Sequence, residues 1–169
     1  MSIYDRRTRE CFVSQLHPEL RQAIQGYFKE HNLGDPETES LMCCETISKK
    51  KDTGKLVSWL GGESDSTIYT GMLLTPQRLI WVRKGDQSNS VLNAASLKEI
   101  RVNVYEPLLS KEPGLEIFGF IETTKGRVRG HIAMGPEAAT QKFGEAVREA
   151  ISKLKPPSKK RGLFKWLLG

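Results

Sequence analysis

Three cysteines, three histidines and two basic clusters are the residues of this 169-residue chain whose types could do chemistry. Cys11, Cys43 and Cys44 are odd in number and show no C-x-x-C spacing. Neighbours in sequence make poor disulfide partners, because successive strand side chains point to opposite faces, so the thiols read as reduced. A nucleophile at Cys43 or Cys44 would need a distant histidine. On alternate faces of a strand one of the two is expected to be buried and the other exposed, and a packed thiol is the simpler assignment. His17, His31 and His131 have no H-x-x-H, H-E-x-x-H or Cys/His ligand spacing, so neither a metal site nor a cofactor is expected. No Gly-x-Ser-x-Gly and no phosphate-binding glycine loop is present, and Gly61-Gly62 is followed by Glu63, whose charge repels phosphate. These residues assemble no active site, and the expectation is a protein without enzymatic activity.

The basic clusters point to binding. Lys49, Lys50, Lys51 and Lys55 gather in SKKKDTGK, the first expected inter-strand turn. Their default state is solvation; a run of lysines in an exposed turn is ordinary. The second cluster opens the C-terminal stretch KKRGLFKWLLG. At roughly 100° per residue, Leu163, Phe164, Trp166, Leu167 and Leu168 cover one broad arc of a helix, Arg161 and Lys165 share the opposite side, and Lys159 and Lys160 stand at the start. Large apolar side chains on one side with cations on the other describe a helix lying in a membrane interface. Fully burying five such side chains would yield roughly 7–15 kcal/mol, about half of that at an interface, and each nearby cation adds about 1 kcal/mol at an anionic leaflet. The same pattern also fits a groove on the body or on another protein.

Charge is distributed unevenly. Of the 26 basic residues, six (Lys153, Lys155, Lys159, Lys160, Arg161 and Lys165) lie in residues 153–169 with no acid, which leaves 20 bases against 20 acids on the other 152 residues. The excess of +6 therefore belongs to the tail, and a nucleic-acid partner is not expected of so neutral a body. No run approaches the roughly 20 apolar residues of a spanning helix. MSIYDRRTRECF lacks the apolar stretch of a secretory signal, so a cytoplasmic protein is expected.

The elements that must position these residues follow from periodicity. A helix is predicted over 17–32, with Pro18 at its first turn, Gly34 at its stop, and Leu16, Leu20, Ala23, Ile24, Tyr27 and Phe28 forming one stripe. GDPETES reads as a polar connector. Strands are predicted over 41–50, 55–60, 66–75, 78–84, 90–95, 97–105, 114–123 and 126–134, with turns at Thr75-Pro76-Gln77-Arg78 and Lys125-Gly126. A second helix is predicted over 136–154, with Phe143, Val147, Ala150, Ile151 and Leu154 on one face. Pro156-Pro157 stops it. The fold class is mainly β with flanking helices: a bent antiparallel β-sandwich or barrel capped by a C-terminal helix, plus an N-terminal helix. The chain divides into an N-terminal helical extension (1–40), a β domain (41–155) and a Pro-broken linker with a basic amphipathic tail (156–169).

Gly71-Met72-Leu73-Leu74-Thr75 followed by Arg78-Leu79-Ile80 resembles the G-x-L-x-x-T-x-x-R-L type of hairpin in bacterial pleckstrin-homology-like (PH-like) and GRAM-like domains. The resemblance covers roughly residues 41–155 and implies a PH-like fold, which hosts lipid binders, peptide binders and scaffolds alike. Leu73, Leu79 and Trp81 are expected in the core. In PH domains the first inter-strand turn often grips a phosphorylated headgroup, which gives Lys49, Lys50, Lys51 and Lys55 that role by resemblance. The usual Lys…Arg-x-Arg arrangement is missing, since the second expected strand, KLVSWL, has no arginine. KKRGLFKWLLG is similar to the short membrane-targeting tail of the Min-system ATPases, and without an ATPase motif only the targeting role carries over. The expected function is that of a non-enzymatic adaptor, peripherally attached to the inner face of the cell membrane through an anionic lipid surface. The alternative is a soluble interaction module whose tail docks on a protein partner. The N-terminal helix could cover the β domain or pair with a second copy.

Overall fold

A computed structural model of the chain describes residues 3–51, 65–105 and 112–155. The predicted strand over 55–60, Lys55 and the tail residues from Lys159 to Leu168 lie outside these. Among the described residues there are two antiparallel sheets. Tyr4–Glu10 (β1), Met42–Lys50 (β2), Thr67–Leu74 (β3), Arg78–Gly85 (β4) and Val91–Ser96 (β5) pair in chain order. Ile100–Tyr105 (β6), Gly114–Ile121 (β7) and Gly126–Ala133 (β8) form a second meander. Pro18–Glu30 (α1), Pro36–Glu39 (α2) and Ala138–Leu154 (α3) complete the elements. Consecutive strands joined by short connections pair with one another, the cheapest way to satisfy backbone hydrogen bonds.

The hairpin at Thr75 forms as its sequence demands. The Thr75 amide donates to the Arg78 carbonyl at 2.9 Å, and the Thr75 hydroxyl accepts from the Arg78 amide at 3.0 Å, across a turn whose dihedral Pro76 presets. Leu73 and Leu79 flank it, fully buried. Trp81 is only partly buried, at the margin of the core.

Both faces of the five-stranded sheet are covered. On one, α1 lays Leu20, Ile24, Tyr27 and Phe28 over Cys43, Leu73, Ile80, Val82 and Ala94. Gly71 lets the helix approach; a Cβ there would stand 3.3 Å from Leu20 Cδ1. On the other, Cys44, Met72, Leu74, Leu79 and Ala95 meet Ile100, Leu115, Ile117 and Ile132 of the second sheet and Phe143, Val147 and Ala150 of α3. This double coverage corrects the expectation for the two neighbouring cysteines. Cys43 and Cys44 do point to opposite faces, yet both are buried, because neither face meets water.

Two further features depart from the sequence-based expectations. Tyr4–Glu10 is a strand, paired with β2 from Tyr4 opposite Lys50 to Glu10 opposite Cys44. Its charged sequence, YDRRTRE, masks it: only Tyr4 and Thr8 are buried. The polar connector contains the short helix α2, capped by the Asp35 side chain accepting from the Glu37 amide. Lys49 and Lys50 close β2, as the predicted strand over 41–50 has them.

A buried polar knot ties β1 to the start of α3. The Thr8 hydroxyl lies 2.7 Å from the Thr46 hydroxyl and accepts from the Gly135 amide at 2.7 Å, while the Thr8 amide donates to Glu137 at 2.8 Å. Nearby, the buried Glu45 carboxylate accepts from the Arg9 guanidinium at 2.7 Å and from the His17 amide at 2.7 Å, which fixes the start of α1 against β1 and β2.

Candidate functional site

Among the described residues, the three-stranded sheet is covered on its inner face only. Its register sets Arg101 of β6 opposite Phe118 of β7, Phe118 opposite Arg129 of β8, and Phe120 opposite Arg127. Residues directly opposite share a face, so three arginines and two phenylalanines stand together on the side away from the core. Arg101, Arg127 and Arg129 are exposed, and Phe118 and Phe120 are half-buried between them. The ring of Phe118 carries the Arg129 guanidinium 4.8 Å above its centroid. Arg129 Nε also donates to Glu116 at 2.6 Å, which fixes the side chain in place. Among the described residues no carboxylate pairs with Lys98, Arg101 or Arg127.

This face is concave. A groove of about 820 Å³ is bounded by Lys98 and Glu99 of the β5–β6 turn, by the arginines and phenylalanines above, and by Val128 and Lys155. Among the described residues five cations thus line it against one carboxylate, Glu99. Gly119 makes its floor possible. At φ of 144° it is backbone that glycine favours, and a Cβ there would lie 2.2 Å from the Glu99 carbonyl. Lys155, just past the end of α3, donates from Nζ to the Ile100 carbonyl at 2.6 Å and so holds the helix end at the groove rim. A cationic, aromatic-floored groove of this kind suits a ligand or surface carrying phosphate or carboxylate groups.

The cluster picked out in the sequence is placed differently. Lys49 and Lys51 are exposed and Lys50 is half-buried. Lys49 and Lys50 point to opposite faces of β2, so the strand does not bring them to one point. The Lys50 amide donates to Ser66 and the Lys51 amide to Ile3, both at 2.8 Å. The groove on the second sheet was missed. The Arg-x-Arg spacing absent from 55–60 stands in Arg127-Val128-Arg129 on β8. Its signal is a period-2 alternation of arginine that a cross-strand register turns into a patch.

The thiols and imidazoles have structural partners. Cys11 and Cys43 approach to 3.9 Å between sulfurs, both free. Their hydrogen bond, with burial, pushes the Cys43 thiol up, and burial pushes Cys44 up to about 12. Neither forms a ready thiolate at neutral pH. His17 stacks on Tyr69 at 4.3 Å and His31 on Tyr27 at 4.2 Å between ring centroids, and burial lowers the pKa of His131. Among the described residues no group of three His, Cys, Asp or Glu side chains is placed to hold a metal ion, and no helix is long and apolar enough to cross a membrane.

Compared with family models, curated proteins and solved structures, the chain matches none.

Proposed function

We propose that this protein is a non-enzymatic adaptor that attaches peripherally to the anionic inner surface of a cell membrane. Two parts act together: the basic, apolar tail from Lys159 to Leu168 and the cationic face of β6–β8. The observation that carries this reading is the position of Lys155. It lines the cationic groove and is followed directly in sequence by Pro156-Pro157 and the tail. Lys155 on this basic face is thus the described residue nearest in sequence to the tail's lysines and arginine, and one anionic surface is proposed to meet both.

Energetics support a reversible attachment. Each cation near an anionic leaflet contributes about 1 kcal/mol, which falls off within a Debye length of about 8 Å at physiological salt. The tail's apolar arc adds burial that the groove lacks. A four-strand and a three-strand meander, β2–β5 and β6–β8, closed by α3, agree with a PH-like domain, to which β1 and α1 are additions.

The reading is tested by imaging fluorescent fusions of the full chain and of a form ending at Lys155 in cells. The full chain is expected at the membrane and the shortened form throughout the cytoplasm. Identical distributions would reject the adaptor function.

A further inference from the structure

The end of β1 brings two thiols together. β1 and β2 run in register as far as Glu10 opposite Cys44, so the next residue, Cys11, stands opposite Cys43. The Cys11 amide donates to the Cys43 carbonyl at 3.0 Å, which fixes the two backbones at this point. Residues directly opposite share a face, and here the two free sulfurs lie 3.9 Å apart. Opposed positions of an antiparallel pair hold their Cα atoms about 4.5–5.5 Å apart, a separation that a disulfide spans. Cys44 points to the other face of the sheet and packs in the other core, so the third thiol does not compete.

The two sulfurs are not equivalent. Cys43 is buried beneath α1, whereas Cys11, just past the end of β1, is half-buried at the margin of the same core. Burial favours the proton on Cys43, which makes Cys43 the donor of their hydrogen bond and Cys11 the acceptor. That bond holds the Cys11 thiol below its ordinary pKa; the Arg9 guanidinium acts in the same direction, and burial with the Glu45 and Glu37 carboxylates opposes it. A reachable sulfur with thiolate character beside a second, resolving thiol is the arrangement that oxidants select.

We propose that Cys11 and Cys43 are a site of reversible oxidation by hydroperoxides, with Cys11 as the attacking sulfur and Cys43 as the resolving one. The Cys11 thiolate attacks one oxygen of the hydroperoxide. An S–O bond forms, the O–O bond breaks, and the leaving oxygen takes a proton and departs as an alcohol, or as water from hydrogen peroxide. Cys43 then attacks the Cys11 sulfur. The S–S bond forms, the S–O bond breaks, and hydroxide leaves with the Cys43 proton as water. The two thiols lose two electrons and the hydroperoxide gains them; a dithiol reverses the step by exchange. The bridge closes residues 11–43 into one loop that holds α1 and α2, and so pins both ends of the helical cover to the edge of β2. The site lies apart from the basic groove and does not depend on membrane attachment.

The test exposes the folded, fully reduced full chain to hydrogen peroxide, quenches with acid, alkylates the remaining thiols with iodoacetamide in urea, and maps the peptides by mass spectrometry. A peptide pair joined through Cys11 and Cys43 is expected, with Cys44 recovered as the alkylated thiol, and dithiothreitol before quenching is expected to abolish the joined pair. Cys43→Ala is expected to leave Cys11 as a sulfenic acid that dimedone traps. Cys11→Ser is expected to slow oxidation of Cys43 at least about tenfold, because the buried thiol lacks its reachable partner. Should Cys43→Ala fail to fold, the joined peptide and Cys11→Ser decide. Cys11 and Cys43 both recovered as alkylated thiols, Cys11 carried to the sulfinic acid without a bridge, or Cys43 oxidised as fast in Cys11→Ser as in the parent overturns the proposal.

Discussion

The two sheets differ in how they are covered. The five-stranded sheet has α1 on one face and the second sheet with α3 on the other, so its central strands bury apolar side chains on both sides, and even neighbouring Cys43 and Cys44 are both buried. Among the described residues the three-stranded sheet packs one face and leaves the other uncovered, and there Arg101, Arg127 and Arg129 surround Phe118 and Phe120. A covered face is spent on stability. A face that carries half-buried aromatic rings among cations is the one the proposed membrane contact would use.

This contrast is open to mutation. Phe143 is fully buried where α3 meets both sheets, and Phe143→Ala is expected to cost about 3–5 kcal/mol in urea unfolding. Phe118→Ala, on the bare face, is expected to cost less than about 1.5 kcal/mol, because its ring is half-exposed and touches chiefly Arg129. Equal losses would mean that the second face is also a core. Next in size is the pair Arg101→Glu and Arg127→Glu. Together they reverse two cations, and roughly 2–4 kcal/mol of binding to anionic vesicles is expected to disappear while the urea midpoint barely moves.

Thr8→Val sharpens the contrast from the covered side. It removes the hydroxyl that joins Thr46 and the Gly135 amide, at an expected cost of roughly 1–3 kcal/mol in unfolding. The smallest effect concerns the link from α1 to the second sheet. Tyr27 donates to Glu122 at 2.9 Å, and burial with that bond raises its phenol to about 12 from 10. The folded protein therefore holds this proton more tightly than the unfolded chain does. The associated stability is complete below about pH 10 and fades as pH rises through about 12. Thermal melts of Tyr27→Phe should show a flatter alkaline decline than those of the parent.

Much of the architecture was legible in the sequence because each element carries its own local signal. The helical stripe from Leu16 to Phe28, the Pro76 turn, the alternation in β6 and the Phe143 face of α3 all stand in the described residues within a few positions of expectation. What escaped depends on partners distant in sequence. β1 is polar at nearly every position and becomes a strand because β2 offers a hydrogen-bonding edge and Thr46 receives Thr8. The burial of both Cys43 and Cys44 requires knowing that the sheet has two covers. The basic groove requires register: Arg101 and Arg127 are 26 positions apart, and only the pairing of β6, β7 and β8 sets them on one face. The lysines of SKKK carried the louder signal, yet alternation along β2 points Lys49 and Lys50 away from each other.

The most direct measurement is co-sedimentation of the full chain with vesicles of neutral phosphatidylcholine, alone or mixed with anionic phosphatidylglycerol, beside a form ending at Lys155 and the Arg101→Glu/Arg127→Glu variant. The account predicts that the full chain sediments with anionic vesicles only, that rising salt releases it, that the shortened form stays in solution, and that the variant is weakened. If the full chain and the shortened form sediment equally, the tail and the bare sheet face do not form a membrane-binding surface.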